Sequence, residues 1–334
     1  MKQRIAIIGA GLSGLHLANR LAAGAEIVVF EKARGVGGRM ATRRFENFSF
    51  DHGANFFTAR SPEFKSFLKP SVASGLAQEW KGKVITLAKG KKPGKRFWYE
   101  PHYVGCPGMN FLCKQLAEGI TVRTSCEVGP LAEKVDGQWP LFNIQGGALG
   151  SFDLVISTAP PAQTLRLFGP HLPANAGMRG EKFVACYALL VGLPTPWKQS
   201  WMAAKVQDSP FEWISVDSRK PGRDQSLTAL VAHTGSHWAE AHVDSDQEEI
   251  QRILGQELES LIPLKLESAA YLSLHRWRYA TLEKAHDEFD AEAPFYDPTL
   301  QLACAGDWCT RSNVEHAWLS ADRLASQIIA SELG

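Results

Sequence analysis

The stretch RIAIIGAGLSGLHLANRL, residues 4–21, joins a short apolar run to a glycine-rich turn and a helical pattern. Gly9, Gly11 and Gly14 form a GxGxxG motif directly after a predicted strand at residues 4–8. In this motif the glycines allow a tight turn, close approach to a pyrophosphate, and close packing of helix on strand. The helix N-terminus adds N–H groups and a positive dipole. The stretch therefore predicts a dinucleotide-binding βαβ unit.

The next apolar run, AEIVVFEK at residues 25–32, supplies the second strand of this unit. Glu31 ends that strand, where a carboxylate accepts hydrogen bonds from a ribose diol. The same opening imitates an export signal, but polar Asn19 and Arg20 stand where small residues would be needed for cleavage. We therefore interpret it as a nucleotide site and expect a cytoplasmic protein.

Length and composition limit the possible functions. At about 150 residues per domain, 334 residues suggest two domains. The 36 basic and 35 acidic residues nearly balance, which argues against a nucleic-acid partner. No run approaches the ~18 apolar residues of a membrane span. Six scattered cysteines without a CxxC motif favour neither a disulfide framework nor a metal site, and nothing indicates the oligomeric state.

Two following segments favour FAD over NAD. EKARGVGGRMATRR, residues 31–44, carries a Gly37-Gly38 pair and Arg39, which can give a diphosphate further N–H donors and a compensating charge. FDHGANFFTAR, residues 50–60, places Gly53 and Ala54 where backbone could pass close to a flat ring.

A final segment near the C-terminus suits the same cofactor. LQLACAGDWCTRSNVEHAWLSADRLASQII, residues 300–329, predicts a strand, a turn at Gly306-Asp307 and a helix beginning near Asn313. Asp307 can bind a sugar hydroxyl or simply cap the turn. The helix N-terminus can stabilise the negative charge that a flavin gathers on reduction.

The motifs GAGLSG, GGRMATRR, DHGANFFT, CAGDW and VEHAWLS together resemble the FAD-dependent amine-oxidase superfamily. The segments YVGCPGMN, FEWISVDSRKPGR, LTALVAHTGSHWAE and LSLHRWRYA resemble its renalase-like branch. The resemblance implies an α/β fold: a Rossmann-type FAD-binding domain with an inserted, mostly β-sheet substrate domain, in a topology like that of p-hydroxybenzoate hydroxylase. We place the FAD-binding domain at residues 1–60, 105–164 and 298–334, and the substrate domain at residues 61–104 and 165–297.

The resemblance also implies noncovalent FAD and a set of cofactor contacts. Val128 lies where the superfamily contacts adenine. The full set is Gly9, Gly11, Leu12, Ser13, Gly14, Glu31, Lys32, Gly38, Arg39, Met40, Gly53, Ala54, Asn55, Phe56, Val128, Gly306, Asp307, Val314, Glu315 and Ala317. His316 departs from the glycine usual in the last motif, and it could either contact the flavin or turn outward.

For function, the resemblance implies an oxidase of 2- or 6-dihydro-NAD(P) isomers. Hydride passes to flavin N5, NAD(P)+ leaves, and O2 is reduced to hydrogen peroxide. Because aromatisation drives this reaction, no protein base is required. A flavin-containing oxidase of small amines and a non-catalytic flavin-binding module are the alternatives.

Candidates for the substrate face come from the renalase-like strands. An aromatic side chain could hold a flat ring, and an arginine could hold phosphate or carboxamide oxygen, although each could instead be structural. The catalytic candidates are His233, Trp238, Arg278 and Tyr279, with His237 beside them.

Three further features have competing interpretations. The segment at residues 81–96 is either a basic rim for dinucleotide phosphates or a solvated hairpin turning at Lys92-Pro93-Gly94; its cations are Lys81, Lys83, Lys89, Lys91, Lys92, Lys95 and Arg96. Cys304 and Cys309 have the spacing of a redox dithiol, but they bracket the Gly306-Asp307 turn, so we interpret Cys304 as a strand-packing residue and Cys309 as a loop thiol. A helix at residues 245–261 carries a capping-box pattern of Ser245 and Glu248.

Overall fold

The computed structural model of the chain describes residues 2–172, 182–283, 295–309 and 311–333. The chain divides into two compact units, each made of segments that are separate in sequence. Unit 1 comprises Met1–Arg39, Leu112–Lys182 and Thr281–Gly334, and unit 2 comprises Met40–Phe111 and Phe183–Ala280. Residues 40–60, which the sequence assigns to the FAD-binding domain, belong to unit 2 in this division, and the domain boundaries stay a prediction.

The described residues form nineteen strands and seven α-helices. In chain order the strands are β1 (Gln3–Ile8), β2 (Ala25–Phe30), β3 (Thr42–Phe45), β4 (Phe48–Asp51), β5 (Ala77–Glu79), β6 (Val84–Ala88), β7 (Gly94–Arg96), β8 (Tyr103–Gly105), β9 (Thr121–Arg123), β10 (Trp139–Phe142), β11 (Ala148–Phe152), β12 (Leu154–Ser157), β13 (Phe183–Leu193), β14 (Ala203–Gln207), β15 (Phe211–Val216), β16 (Thr228–Thr234), β17 (Tyr271–Leu282), β18 (Phe295–Asp297) and β19 (Leu302–Cys304). The helices are α1 (Leu12–Leu21), α2 (Pro62–Ala73), α3 (Phe111–Leu116), α4 (Pro161–Phe168), α5 (Ser236–Ala241), α6 (Gln247–Leu261) and α7 (Val314–Ile328).

Unit 1 is built on a six-stranded sheet of order β18-β19-β12-β1-β2-β9. Every pair in it is parallel except β18 with β19. The carboxyl ends of the parallel strands therefore meet at one edge, where an open α/β sheet binds its ligand. The residues that follow four of these strands at that edge are Gly9, Glu31, Thr158 and Ala305.

The opening βαβ prediction is confirmed by the structure. The strand, the helix and the second strand lie at β1, α1 and β2. The predicted apolar stripe of α1, Leu12, Leu15, Ala18 and Leu21, is buried. Helix α7 packs on α1, where His16 Nε2 lies 2.9 Å from Asp322 Oδ1. The C-terminal helix thus covers the first one.

Unit 2 contains a seven-stranded sheet of order β17-β13-β16-β15-β14-β6-β7. Its two faces have different neighbours because side chains alternate along each strand. On the helix face, Leu230 and Ala232 pack with α6 residues such as Leu254. On the opposite face, which we call the β4 face, Ala229 and Val231 pack with residues of β4.

Two local predictions in unit 2 have different outcomes. The antiparallel hairpin of β6 and β7 is confirmed, with Thr86 opposite Gly94, but the predicted turn at Lys92-Pro93-Gly94 is wrong: Gly94 lies in β7, and the chain turns after Ala88, where the Lys91 N–H donates to the Ala88 carbonyl. The capping box is wrong, because Asp246 caps α6 and accepts the N–H groups of Glu248 and Glu249, each at 3.0 Å. The ionised Asp246 carboxylate accepts these N–H groups in charge-assisted hydrogen bonds, which are stronger than those to a hydroxyl.

None of the described helices combines the length and apolar character needed to span a bilayer.

Candidate functional site

The glycine-rich turn joins β1 to α1 in unit 1. A Cβ added at Gly14 would lie 2.0 Å from the Gly9 carbonyl oxygen. One added at Gly9, whose φ is +110°, would lie 2.6 Å from Thr158 Oγ1, so both positions require glycine. By contrast, a Cβ at Gly11 would meet no heavy atom within 4 Å, and α1 has no side-chain N-cap. The turn therefore leaves space beside uncapped N–H groups, which suits a phosphate.

Glu31 is held rigidly beside this turn. Its Oε2 accepts the Ala10 N–H at 2.9 Å and its Oε1 accepts the Ala33 N–H at 2.7 Å. Each carboxylate oxygen keeps lone pairs for a further donor. The fixed carboxylate can therefore still bind a ribose diol. Its neighbour Lys32 is exposed, and Lys32 Nζ lies 3.1 Å from Gln163 Oε1.

Arg39 and Asp307 connect the second glycine segment with the last motif. Arg39 Nη1 lies 2.8 Å from Asp307 Oδ2, and Nη2 lies 2.6 Å from Oδ1. Ser312 Oγ donates to Asp307 Oδ2 at 2.6 Å. Just before Arg39, Gly38 has a φ of +52°, and a Cβ there would lie 3.4 Å from Gly11 Cα. The two glycine segments and the last motif therefore form one cradle within unit 1.

The N-terminus of α7 belongs to the same cradle. The Asn313 side chain accepts the His316 N–H at 3.0 Å, which confirms that the last helix begins at Asn313. The Ala317 carbonyl accepts the Ser13 hydroxyl at 2.7 Å, so the first turns of α1 and α7 are hydrogen-bonded together. Glu315 is buried, and His316 is half-buried.

The remaining predicted cofactor residues are spread over both units. Val128 in unit 1 forms an isolated bridge with Asn143. The other five lie in unit 2: Met40 just before β3, and Gly53, Ala54, Asn55 and Phe56 just after β4.

Four charged side chains form a buried network in unit 2, which we call the charged cluster: Asp51, Asp217, Lys220 and Arg223. Lys220 Nζ lies 3.0 Å from Asp51 Oδ2 and 2.7 Å from Asp217 Oδ1. Arg223 Nη2 lies 2.7 Å from Asp51 Oδ2. The other oxygen of Asp51 accepts from Thr42 Oγ1 at 2.7 Å and from the Met109 N–H at 3.0 Å. Both oxygens of Asp51 are therefore fully engaged.

The two carboxyl groups of the charged cluster titrate differently. Burial opposes ionisation of Asp51, but the charges of Lys220 and Arg223 outweigh it and lower its pKa to about 2. Burial raises the pKa of Asp217 despite the Lys220 charge, and the nearby Asp51 carboxylate adds to that rise. Asp217 Oδ2 also accepts the Asp51 N–H at 2.6 Å, so neither carboxyl group is open to a ligand cation.

A hydrogen-bonded series links the charged cluster to His233. Ser215 Oγ lies 3.0 Å from Asp217 Oδ1 and 2.9 Å from Asn55 Oδ1. Asn55 Nδ2 lies 3.2 Å from His233 Nδ1, and His233 Nε2 lies 2.9 Å from the His52 carbonyl oxygen. A carbonyl only accepts, so the His233 proton lies on Nε2 and Nδ1 accepts from Asn55. Both ring nitrogens of His233 are therefore occupied.

Two more histidines lie on the same face beside Trp277. The His52 ring lies 4.7 Å from the His275 ring and stacks at 5.3 Å on Trp277, whose Nε1 donates to the His52 carbonyl at 2.7 Å. Burial lowers the pKa of His52 to about 3 and the pKa values of His233 and His275 to about 4. The positive charge of Arg43 also lowers the pKa of His52 and His275. All three imidazoles are neutral at neutral pH.

Aromatic rings lie directly beside this series. Phe56 follows Asn55, and its ring lies 5.5 Å from Trp213, 5.4 Å from Trp98 and 4.6 Å from His102. Trp80 lies 5.5 Å from Trp98 and is buried. Phe56, Trp98 and Trp213 are half-buried, so they leave an aromatic surface partly open.

The catalytic candidates fall on different parts of unit 2. His233 lies on the β4 face, whereas Trp238 packs with the helix-face cluster and stacks on His242 at 4.1 Å. Arg278 pairs with Asp244 at 2.9 Å and is about half exposed. Tyr279 alternates with Arg278 along β17 and is half-buried. His237 is exposed on α5. Their catalytic roles stay predictions.

Several side chains at this site were missed from the sequence. Lys220 and Asp217 lie in the renalase-like segment FEWISVDSRKPGR, and Trp98 lies two residues after the basic segment. Strand alternation gave one usable signal, because Trp213 and Ser215 alternate with the buried Ile214 and Val216 and so face away from the helix-face core. The burial of Lys220 had no such signal, since a lysine is rarely fully buried.

Comparison with known proteins gives the family. A family model described as flavin containing amine oxidoreductase matches residues 87–329, more than half of the chain. The chain belongs to this family. A second model, described as an NAD(P)-binding Rossmann-like domain, matches residues 7–70. The fold class and the amine-oxidase resemblance predicted from the sequence are therefore confirmed.

Individual relatives refine this placement. Renalase from Mus musculus is 24% identical over 339 residues, which cover 93% of this chain and 94% of the relative. This match confirms the renalase-like character of this amine oxidoreductase. A 4,4'-diapophytoene desaturase (4,4'-diaponeurosporene-forming) of Staphylococcus aureus (strain Newman) is 49% identical over 51 residues, covering 15% of this chain and 10% of the relative.

Solved structures agree on the fold. An Exiguobacterium sp. 255-15 protein assigned as a protoporphyrinogen oxidase superposes with a TM-score of 0.78 and 13% identity, covering 99% of this chain and 100% of that one. Wild-type putrescine oxidase bound to putrescine superposes with a TM-score of 0.73 and 13% identity, covering 99% of each chain. At these identities both structures show the fold alone.

The cofactor of this flavin oxidoreductase is FAD, and the geometry of unit 1 fits it. Gly11 faces open space beside uncapped N–H groups, which suits the diphosphate, and Glu31 is fixed where a ribose would lie. Asp307 is fixed by Arg39 in the last motif. These residues would hold the dinucleotide.

The redox-dithiol alternative finds no support in the geometry. Cys304 and Cys309 are both buried, and neither forms a disulfide in the described structure. Burial raises the pKa of the Cys304 thiol well above its ordinary value, which suppresses the thiolate needed for exchange. Ser320 Oγ lies 3.3 Å from Cys309 Sγ. Both thiols therefore sit in packed surroundings.

Proposed function

We propose that this enzyme oxidises 2- and 6-dihydro isomers of NAD(P). In the balanced reaction the isomer, O2 and one proton give NAD(P)+ and hydrogen peroxide. The near full-length similarity to Renalase and the renalase-like segments noted in the sequence support this proposal over other flavin oxidase chemistry. The charge and hydrogen bonding of unit 2 supply independent support.

The observation that carries the proposal is the charge on the β4 face. The charged cluster sets Lys220 and Arg223 against two carboxyl groups, both of them enclosed, and a third cation, Arg43, lies beside Ser273 and His275. An ammonium ion finds no open carboxylate in the cluster, whereas the half-buried Arg43 cation attracts an anionic nucleotide. This arrangement favours a dinucleotide over a small amine.

The histidine arrangement suits a reaction without a protein base. Both nitrogens of His233 are hydrogen-bonded within the protein, and its low pKa keeps it neutral. His233 therefore positions the loop that carries His52 and Asn55 and holds no proton for transfer. A dihydropyridine needs no base, because loss of hydride makes its ring aromatic.

FAD, when bound, would supply the hydride acceptor and the means of reducing O2. The chain's own contribution is to hold the donor ring at one geometry, since hydride transfer requires a donor carbon about 3–3.5 Å from the acceptor. One pose cannot place every ring carbon at that distance. We therefore expect strong discrimination among the dihydro isomers.

Anaerobic stopped-flow mixing tests the proposal. Oxidised enzyme is mixed with borohydride-reduced NAD+, which contains the 2-, 4- and 6-dihydro isomers, and flavin absorbance is followed. Pure 4-dihydro NADH, benzylamine and putrescine are the comparison substrates. We expect the isomer mixture to bleach the flavin far faster than any of these.

Two outcomes would overturn the proposal. Faster bleaching by an amine would identify an amine oxidase. Failure of every reductant to bleach the flavin rapidly would support the non-catalytic flavin-binding module.

A further inference from the structure

Three half-buried rings of unit 2, Phe56, Trp98 and Trp213, lie together, and two of them are nearly parallel. Trp98 stacks on His102, with ring centroids 3.8 Å apart and planes 12° apart. Trp98 and Trp213 are also inclined by only 12°, but their centroids lie 6.5 Å apart. Because these two planes are nearly parallel, a single flat ring can lie parallel to both. Phe56 stands beside the pair at similar distances from each ring.

The Trp213 side chain has an unused donor. Its Nε1 is buried and has no hydrogen-bond partner among the described atoms. A buried donor without an acceptor is costly, so native structures usually pair such groups with protein, water or ligand. Trp213 lies directly across the sheet from His233, which places this donor beside the polar series of the β4 face.

Cationic side chains stand shortly before Trp98 in sequence. All three residues of β7 are exposed, including Lys95 and Arg96. Within the described chain neither Lys95 nor Arg96 forms an ion pair, nor does exposed Lys92 in the preceding turn. In contrast, Lys91 of the same turn is paired with Asp208. Uncompensated cations beside open aromatic rings match a ligand that combines a flat ring with phosphate.

We propose that Phe56, Trp98 and Trp213 form a binding surface for a heteroaromatic ring of a phosphate-bearing nucleotide. The choice of nucleotide rests on the proposed function, whereas the surface itself rests on ring geometry and charge. Stacking on aromatic side chains binds nucleobases without reading their identity. The surface could therefore bind either the adenine or the nicotinamide ring of a dinucleotide. AMP and nicotinamide mononucleotide, which carry one ring each, distinguish the two cases.

Equilibrium titration of the FAD-loaded enzyme tests this surface without turnover. NAD+, AMP and nicotinamide mononucleotide are titrated separately by calorimetry into wild type, Trp98→Ala and Trp213→Ala at equal FAD content. We expect each substitution to raise the Kd for NAD+ by about 10-fold or more. If the Kd of one mononucleotide rises in the same variants as the Kd for NAD+, that mononucleotide carries the ring that the surface binds.

Tyr99→Ala is the matched control, because Tyr99 is 96% exposed and lies next to Trp98. It should leave every Kd unchanged. Trp213→Phe keeps a flat ring and should weaken binding less than Trp213→Ala, which gives a second variant if the alanine form does not fold.

The surface is disproved if wild type binds none of the three nucleotides, or if both alanine variants bind all three as wild type does. An equal loss in Tyr99→Ala would also disprove it. These outcomes are separate from the flavin-bleaching test. If dihydro isomers reduce the flavin but the tryptophan variants keep their nucleotide affinity, the proposed surface is wrong and the proposed function stands. If the isomers do not reduce the flavin but the tryptophan variants lose affinity, the surface stands and the proposed function is wrong.

Discussion

Arg39 and Asp307 stand 268 residues apart in sequence and form an ion pair with two parallel hydrogen bonds, of 2.8 and 2.6 Å. The pair links the second glycine segment to the last motif of unit 1. Such bidentate pairs fix orientation as well as charge. The relative position of the two segments that cradle the cofactor therefore depends on this contact.

Asp307→Ala should lower FAD occupancy, because it removes a candidate sugar contact and leaves the Arg39 guanidinium without its carboxylate. Asp307→Asn keeps the shape of the side chain and should lose less. The ratio of flavin to protein absorbance after extensive dialysis measures the effect. Wild-type occupancy in Asp307→Ala would show that the pair is not needed for FAD retention.

Glu31→Ala should weaken FAD binding by about 1–3 kcal/mol, the usual cost of losing charge-assisted hydrogen bonds. The substitution also leaves the N–H groups of Ala10 and Ala33 without their acceptor. The Kd is measured by the fluorescence of FAD released on dilution. Glu26→Ala is the control, because Glu26 lies on the same strand, exposed and paired with Arg4, and its removal should leave the Kd unchanged.

Lys220→Met should destabilise the protein by about 3–5 kcal/mol, because it leaves two buried carboxyl groups without their shared cation. Lys205→Met is the control, since Lys205 pairs with Glu212 near the surface and should cost no more than about 1 kcal/mol. Urea unfolding followed by tryptophan fluorescence gives both values. Equal losses in the two variants would show that the charged cluster contributes no more than a surface pair.

Stability should fall as the pH is lowered from about 7 to about 5. The unfolded chain protonates His52, His233 and His275 near their ordinary pKa of 6.5, whereas the folded protein protonates them only near 3 or 4. Below 6.5 the unfolded state therefore binds more protons, and acid favours it. Thermal unfolding across this range measures the slope, which should be smaller in His233→Gln. An identical slope in that variant would contradict the assignment of His233.

Cys309→Ser should leave the rate of flavin reduction largely unchanged. The Cys309 thiol is buried next to Ser320. Burial raises the pKa of the Cys304 thiol, so the second cysteine of a dithiol would stay protonated. Stopped-flow reduction of the FAD-loaded variant is the measurement. Loss of reduction at full FAD content would revive the disulfide-reductase interpretation.

Prediction from sequence succeeded where the chemistry is local. The order of β1, the glycine turn and α1 follows from contacts between near neighbours, and the Asn313 cap follows from its own helix. In both cases the residue type and its spacing determine the backbone. The structure adds Thr158, which packs against Gly9 although the two residues are 149 positions apart in sequence. No pattern in the sequence near Thr158 predicts this contact.

The site of unit 2 could not be assembled in the same way. Asp51 comes from β4, whereas Lys220 and Arg223 follow β15, and only the folded sheet brings them together. His233 and Trp238 stand five residues apart in sequence, but the turn into α5 carries them to opposite faces. Which face a side chain occupies depends on pairing between distant strands, and periodicity alone does not determine it.

The division of each unit among separate segments affects how the protein is made. During synthesis from the N-terminus, β1, α1 and β2 leave the ribosome early, whereas β19 and α7 follow only after residue 300. Until they do, one side of β12 lacks its neighbour and the apolar stripe of α1 lacks the helix that covers it. Until Asp307 has been made, Arg39 also lacks the carboxylate with which it pairs. Unit 1 therefore completes its cradle only once β19 and α7 have been made, and a chain truncated before residue 300 would be unable to retain the cofactor.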